Sequence, residues 1–230
     1  MDHPVLRATI RLTAEHACRD PDQRHTNCCV TYTSGLGGGG FRDVILIGFN
    51  HRFLGEAGLP TGNGAVGGAL FNTFSRGEVR LVSADPDVNP EVEENMLEDP
   101  RDLLRMRDVV RRLAVLSAHP AMAAISDSIT FAETKLSLHE AASLPSDALD
   151  ALMLQEAADT QHAAGSCRMS VYEDPRGVVN PDLSVKGIAG LRVADASIMP
   201  TDCRANTHFT CVMIGLMAAS HIAAARKSTT

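Results

Sequence analysis

The sequence predicts an α+β chain, a mixed α/β fold in which an antiparallel sheet is followed by helices. Three observations predict it. The first third carries short runs rich in β-branched residues, joined by connections too short for parallel crossovers. Capped, amphipathic segments take over from Asp99. The last third passes from a loop of small residues, through short β runs cut by Asn-Pro, Lys-Gly and Ala-Gly, into a long, nearly uncharged helix.

Val5–Leu12 alternates apolar and polar residues, the period of a half-buried strand. Residues 28–33 and Val44–Phe49 are β-rich and flank a glycine cluster. Residues 71–74 and 78–83 are expected to pair around a turn at Ser75, Arg76 and Gly77. Asp99 caps a helix with Pro100 at its first position, and Leu103, Met106, Val110, Leu113 and Leu116 follow at helical spacing until His119-Pro120 ends it. Ser137 with Glu140 forms a capping box. A second capped segment is expected from near Ser146, with Leu149, Leu152 and Met153 on one face. The helix expected over 207–225 is apolar nearly all round, which predicts burial on most sides.

The net charge of -7, with basic residues interleaved among acids as in Arg105, Arg107, Asp108, Arg111 and Arg112, argues against a nucleic-acid partner. No run approaches 18 wholly apolar residues, so no membrane span is expected, and the first residues lack the apolar core of an export signal. The 6 cysteines include no C-x-x-C, which suggests reduced thiols in a cytoplasmic protein. His16, Cys18, His25 and Cys28 could offer four ligands, but H-x-C followed by H-x-x-C matches no common zinc spacing, so no metal site is expected.

Residues 33–41 read TSGLGGGGF, and Gly35, Gly37 and Gly40 have G-x-G-x-x-G spacing, with Glu56 about where a ribose-binding acid would fall. A phosphate-cradling turn needs a helix starting in it. Here the residues that follow, from Phe41 to Phe49, are β-branched and aromatic with no cap, so the glycines read as a hairpin loop.

Two histidines stand in unusual company. His162 opens HAAGSCRM, a loop of small residues where its ring could face a cavity. His208 begins the apolar C-terminal helix, where unpaired N–H groups and the positive dipole end suit an anion. On residue chemistry alone, one histidine packed in the core and the other capping a turn is the favoured reading of such a pair.

HAAGSCRM, then VVNPDLSVKGIAGLRVADASIMP, then NTHFTCVMIGLMAASHIA resembles, in order and spacing over residues 162–223, the C-terminal signature of the glucose–methanol–choline (GMC) flavin oxidoreductases. SRGEVRLVSADPDVNPEVEENMLEDPRDLLRM resembles that family's substrate-domain segment, and the opening Asp2-His3-Pro4 resembles the D-H-P that follows its flavin-domain crossover. The resemblance implies roles. His162 aligns with the histidine that accepts the alcohol proton, and His208 with its His-or-Asn partner. Asp195 and Ala196 match the pair along the FAD diphosphate and ribityl chain. His208, Phe209 and Thr210 match the helix start facing the isoalloxazine ring. Ser166, Asn180 and Ser170 depart from the family's usual Thr, Asp and Gly, and none removes a catalytic side chain.

The resemblance further implies a substrate-binding domain over 1–158, and a catalytic loop, flavin-contacting strand and helix over 159–230 that complete a FAD-binding domain. The implied reaction oxidises a small-molecule alcohol to an aldehyde or ketone by proton abstraction and hydride transfer to flavin N5. Family members are more than twice this long and open with a Rossmann half that grips the ADP of FAD. Met1 fits a start codon, so the expectation is one subunit of a split enzyme whose second polypeptide supplies that half. A non-catalytic partner subunit with the same fold, and a ligand-binding module on residues 16–29, are the alternatives. The absence of Trp, with only 2 Tyr, favours a pocket of small apolar and polar groups and leaves the alcohol itself open.

Overall fold

The structure, a computed structural model, describes residues 1–20, 22–52 and 61–227; Glu56 lies outside the described residues. In chain order the elements are β1 (Val5–Leu12), β2 (Thr26–Tyr32), β3 (Val44–Phe49), β4 (Asn63–Leu70), β5 (Glu78–Arg80), β6 (Glu91–Glu93), α1 (Pro100–Ser117), α2 (Pro120–Ile125), β7 (Ser126–Phe131), α3 (Leu138–Ala142), α4 (Ser146–Glu156) and α5 (His208–Lys227). They fall into two compact units. One comprises Pro4–Phe71 and Leu97–Asp159, the other Met1–His3, Asn72–Met96 and Thr160–Thr230.

The first unit is built on an antiparallel sheet of order β2-β3-β4-β1-β7. Alternation along β1 puts Leu6, Ala8 and Ile10 into the core. β4 lies between β3 and β1, yet its sequence, NGAVGGAL, holds three glycines. The packing explains them. A Cβ at Gly68 would clash with Val109 Cγ1 of α1 and sit 3.0 Å from Leu46 Cδ2, so the missing side chain lets helix and sheet meet closely. Gly68→Val therefore destabilises this unit by about 1–3 kcal/mol, the usual cost of overpacking, which denaturant unfolding would measure.

α1 starts as its sequence predicts, with Asp99 accepting from Arg101 N–H at 2.9 Å and Pro100 in the first turn. Its Met106, Val109, Val110 and Leu113 are buried with Phe131, Leu138, Leu149 and Met153. The Ser137–Glu140 capping box opens α3, whereas α4 starts behind Pro145 without a side-chain cap. Arg105, on the same helix, is fully buried. It donates to Asp43 Oδ2 at 3.3 Å, to the Phe71 carbonyl at 2.9 Å and to Asp102 Oδ1 at 2.5 Å.

Asp43 also fixes the glycine loop, accepting from Ser34 N–H at 2.7 Å and Ser34 Oγ at 2.6 Å. β2 and β3 pair antiparallel with Tyr32 opposite Val44, so TSGLGGGGF is a hairpin connection and not a strand-to-helix phosphate turn.

Three expectations are corrected. Residues 71–74 form no strand; β5 pairs instead with β6, Glu78 opposite Glu93. The β runs expected after residue 178 are isolated bridges, Val179 with Met169 and Val185, and Ser184 with Arg192. α5 is not buried on most sides in this chain. Ile214 and Ala218, one turn apart, join the second core with Val179, Leu183 and Ile198, while Phe209 is 83% and Leu216 67% exposed. Residues His208–Arg226 are long and apolar enough to cross a membrane by length and composition, a test that soluble core helices also pass and that does not show a span.

Candidate functional site

The second unit gathers a polar cluster from distant parts of the chain. The Asp2 carboxylate accepts two backbone N–H groups through Oδ1, that of His3 at 2.6 Å and that of His162 at 3.1 Å. Ala164 N–H donates to the Met1 carbonyl at 2.9 Å. These bonds hold the loop carrying His162 against the segment carrying His3.

The two rings then meet. His3 Nδ1 lies 2.9 Å from His162 Nδ1, with the rings edge to face. His3 is fully buried, and its Nε2 lies 3.2 Å from Asp202 Oδ2. That same oxygen accepts from Thr73 N–H at 2.9 Å and Thr73 Oγ1 at 2.7 Å. Burial pushes the Asp202 carboxyl upward, but the bonds from His3 and Thr73 outweigh it, so its pKa lies below the ordinary 3.8 and the group is ionised at neutral pH. Thr160 Oγ1 lies 3.0 Å from His162 Nδ1 and donates to the His3 carbonyl at 3.2 Å. His162 itself is half-buried.

A cleft of about 660 Å³ is lined by Asp2, Arg76, Gly165, Ser166 and Arg168, with the loop after His162 as one wall. A second, apolar groove of about 400 Å³ runs under α5 between Met169, Met199, Thr210 and Met213.

The remaining sequence-predicted residues lie further along the same unit. Asp195 is exposed and caps the 3-10 turn Ala196–Ile198, accepting from Ser197 N–H at 2.8 Å. His208 opens α5, its N–H bonded to Asn206 Oδ1 at 3.0 Å and its ring edge-on to Phe209. Phe209 is exposed and Thr210 half-buried. Thus His162 is brought onto His3 and Thr160, and His208 onto Asn206 and Phe209. Sequence reasoning had not singled out His3, Thr160 or Asp202 as site residues; the Asp2-His3-Pro4 triplet was the one available signal for His3. His16, with Thr13, and His25, with Phe49 and His51, have other neighbours, and among the described residues these two do not join Cys18 and Cys28 in a ligand cluster.

Comparison with known proteins follows the same lines. The chain is 36% identical over 147 residues to a glucose dehydrogenase [FAD, quinone] of Drosophila pseudoobscura pseudoobscura, covering 64% of this chain and 23% of that protein. It is 36% identical over 184 residues to an uncharacterized GMC-type oxidoreductase of Mycobacterium bovis, covering 78% of this chain and 33% of that protein. In structure it resembles an Aspergillus oryzae formate oxidase with a TM-score of 0.80 at 20% identity, covering 100% of this chain and 47% of that one, a likeness of fold. The chain thus spans a quarter to a third of these curated relatives' length. The family model described as GMC oxidoreductase matches residues 73–215 of the 230, and on that match the chain belongs to the GMC oxidoreductase family.

Proposed function

We propose that this chain supplies the proton-accepting and substrate-facing part of an FAD-dependent oxidoreductase that converts a substrate C–OH to an aldehyde or ketone. The observation that carries this reading is the placement of His162. Its loop is clamped by Asp2, its ring is braced by His3, and it lies within the segment that matches the family. His162 takes the hydroxyl proton and His208 assists.

The residues present fit a flavin. The first turn of α5 leaves the N–H groups of Phe209 and Thr210 without intrahelical partners, a donor set suited to anionic charge. The exposed Phe209 ring adds an apolar face. Asp195, Ala196, His208, Phe209 and Thr210 would hold the cofactor, which supplies the acceptor for the substrate hydride. The ADP grip is assigned to a second polypeptide with a Rossmann half, because the chain's G-x-G-x-x-G lies in a hairpin. The bare face of α5 suits such a partner, and the six free thiols suit a reducing, cytoplasmic compartment.

Flavin fluorescence tests the assembly. The chain alone is expected to leave added FAD unquenched, and a separately produced FAD-binding half of a GMC relative is expected to form a yellow complex with it. Leu216→Glu, on the exposed face of α5, should prevent the complex while the chain stays folded by circular dichroism. A lone chain that binds FAD stoichiometrically and oxidises alcohols would sink the split-enzyme reading.

A further inference from the structure

We infer that the face of the five-stranded sheet turned away from α1 carries a binding pocket for a small carboxylate with an apolar body, held by the Arg7 guanidinium and the His25 and His51 imidazoles beside the Phe49 ring. The pocket lies wholly within the sheet unit, and the inference does not rest on the proposed oxidation.

Strand periodicity puts these residues together. Leu6, Ala8 and Ile10 enter the core with α1, so Arg7 stands on the opposite face of β1. In β3, Val44 and Leu46 pack into that same core, so Phe49, three residues after Leu46, falls on the face of Arg7. Arg7 pairs with Gly67 and Phe49 with Ala65, both on β4. A Cβ at Gly67 would sit 3.0 Å from the Leu6 carbonyl oxygen, 3.2 Å from Arg7 Cγ and 3.6 Å from Phe49 Cε2, so the missing side chain gives the arginine stem its place beside the ring. His25 comes immediately before β2 and His51 just after β3, and Asn50 N–H donates to the His25 carbonyl at 2.8 Å. The two imidazoles then lie 4.7 Å apart centre to centre, with His25 5.1 Å from the Phe49 ring. With Arg52 and Ala65 these residues line a cavity of about 210 Å³.

Arg7 supplies the charge. Arg52 is bonded to Glu133 Oε1 at 2.6 Å, whereas among the described residues the Arg7 side chain has no ion pair or hydrogen bond, and neither imidazole has a hydrogen bond. Partial burial lowers the Arg7 pKa, the like charge of Arg52 lowers it further, and the more weakly felt Asp159 carboxylate raises it. A guanidinium stays protonated even so, with five N–H donors and no acceptor. A carboxylate satisfies it, because two oxygens match two N–H groups of the fork, and an imidazole N–H can add a third donor. The Phe49 ring and Ala65 offer apolar surface to whatever carries the carboxylate. The volume sets the size. Sites for drug-sized ligands run to about 300–1,000 Å³, so this one suits a small acid and excludes a nucleotide.

Isothermal titration of the full chain with benzoate tests the pocket. Expected is saturable binding, with benzyl alcohol, a similar ring without the charge, bound about tenfold or more weakly. Arg7→Gln, its fold checked by circular dichroism, should weaken benzoate about tenfold or more, and His25→Ala, at an exposed position, about threefold. Correlation spectra of the 15N-histidine-labelled chain locate the ligand: the His25 and His51 signals should move, while that of His139, on α3 at the core face of the sheet, should stay. Absence of saturable binding, benzyl alcohol bound as tightly as benzoate, an unchanged affinity in either variant, or shifts that spare His25 and His51 would each overturn the proposal. Inorganic phosphate bound more tightly than benzoate would overturn the carboxylate class.

Discussion

Arg105→Met lowers the stability of the sheet unit by about 3–5 kcal/mol. The arginine is fully buried between the Asp43 and Asp102 carboxylates and the Phe71 carbonyl. Removing the cation leaves two carboxylates in the interior facing apolar methionine, a larger loss than that of any one aliphatic contact. Against total domain stabilities of about 5–15 kcal/mol, the effect is a large fraction of the whole. Tyr32 on β2 provides a reporter once Tyr172 is changed to Phe, since the chain has no Trp. The denaturation midpoint should fall with its slope unchanged. A triple variant that also replaces Asp43 and Asp102 with apolar residues should recover much of the loss, because the penalty lies in the stranded charges. A loss under about 1 kcal/mol for Arg105→Met would show that the carboxylates do not depend on the guanidinium.

On the proposed function, His162→Ala should lower kcat of the FAD-loaded complex with an FAD-binding half by about 10²–10⁴-fold, the range of a lost general base. That corresponds to about 3–5 kcal/mol of transition-state stabilisation. His162→Gln should lose as much, since an amide offers no basic nitrogen even where it refills the bond to His3. Steady-state kinetics with saturating alcohol measures both. Unchanged turnover would make this chain a non-catalytic partner that keeps the fold.

What was legible in the sequence followed local physics. β1 shows its alternation, α1 its Asp99-Pro100 start, and the glycine loop its place between two β-rich runs. β4 was not legible, because its glycines answer to Val109 on a helix some 40 residues away in sequence, and propensity alone reads them as a break. The partner of β5 was misjudged for a related reason: β6 has only three residues, and Glu91 and Glu93 are paired across the ribbon with Arg80, which no local pattern signals. The burial of α5 was overestimated because an apolar helix announces that something covers it, not whether the same chain does. In the site, His162 and His208 stood out through their flanking motifs. His3, Thr73 and Asp202 carry no shared motif, and only the fold brings them together.

The contact between His3 and His162 spans 159 positions, and the Thr73–Asp202 bond spans 129. During synthesis His3 leaves the ribosome long before either partner exists, and loop closure over such separations is entropically unfavourable until flanking structure has formed. The histidine pair is accordingly a late event in folding. Nascent chains halted before Asp202 would leave His3 without its carboxylate, so the cluster is completed only once the segment through Asp202 has been made.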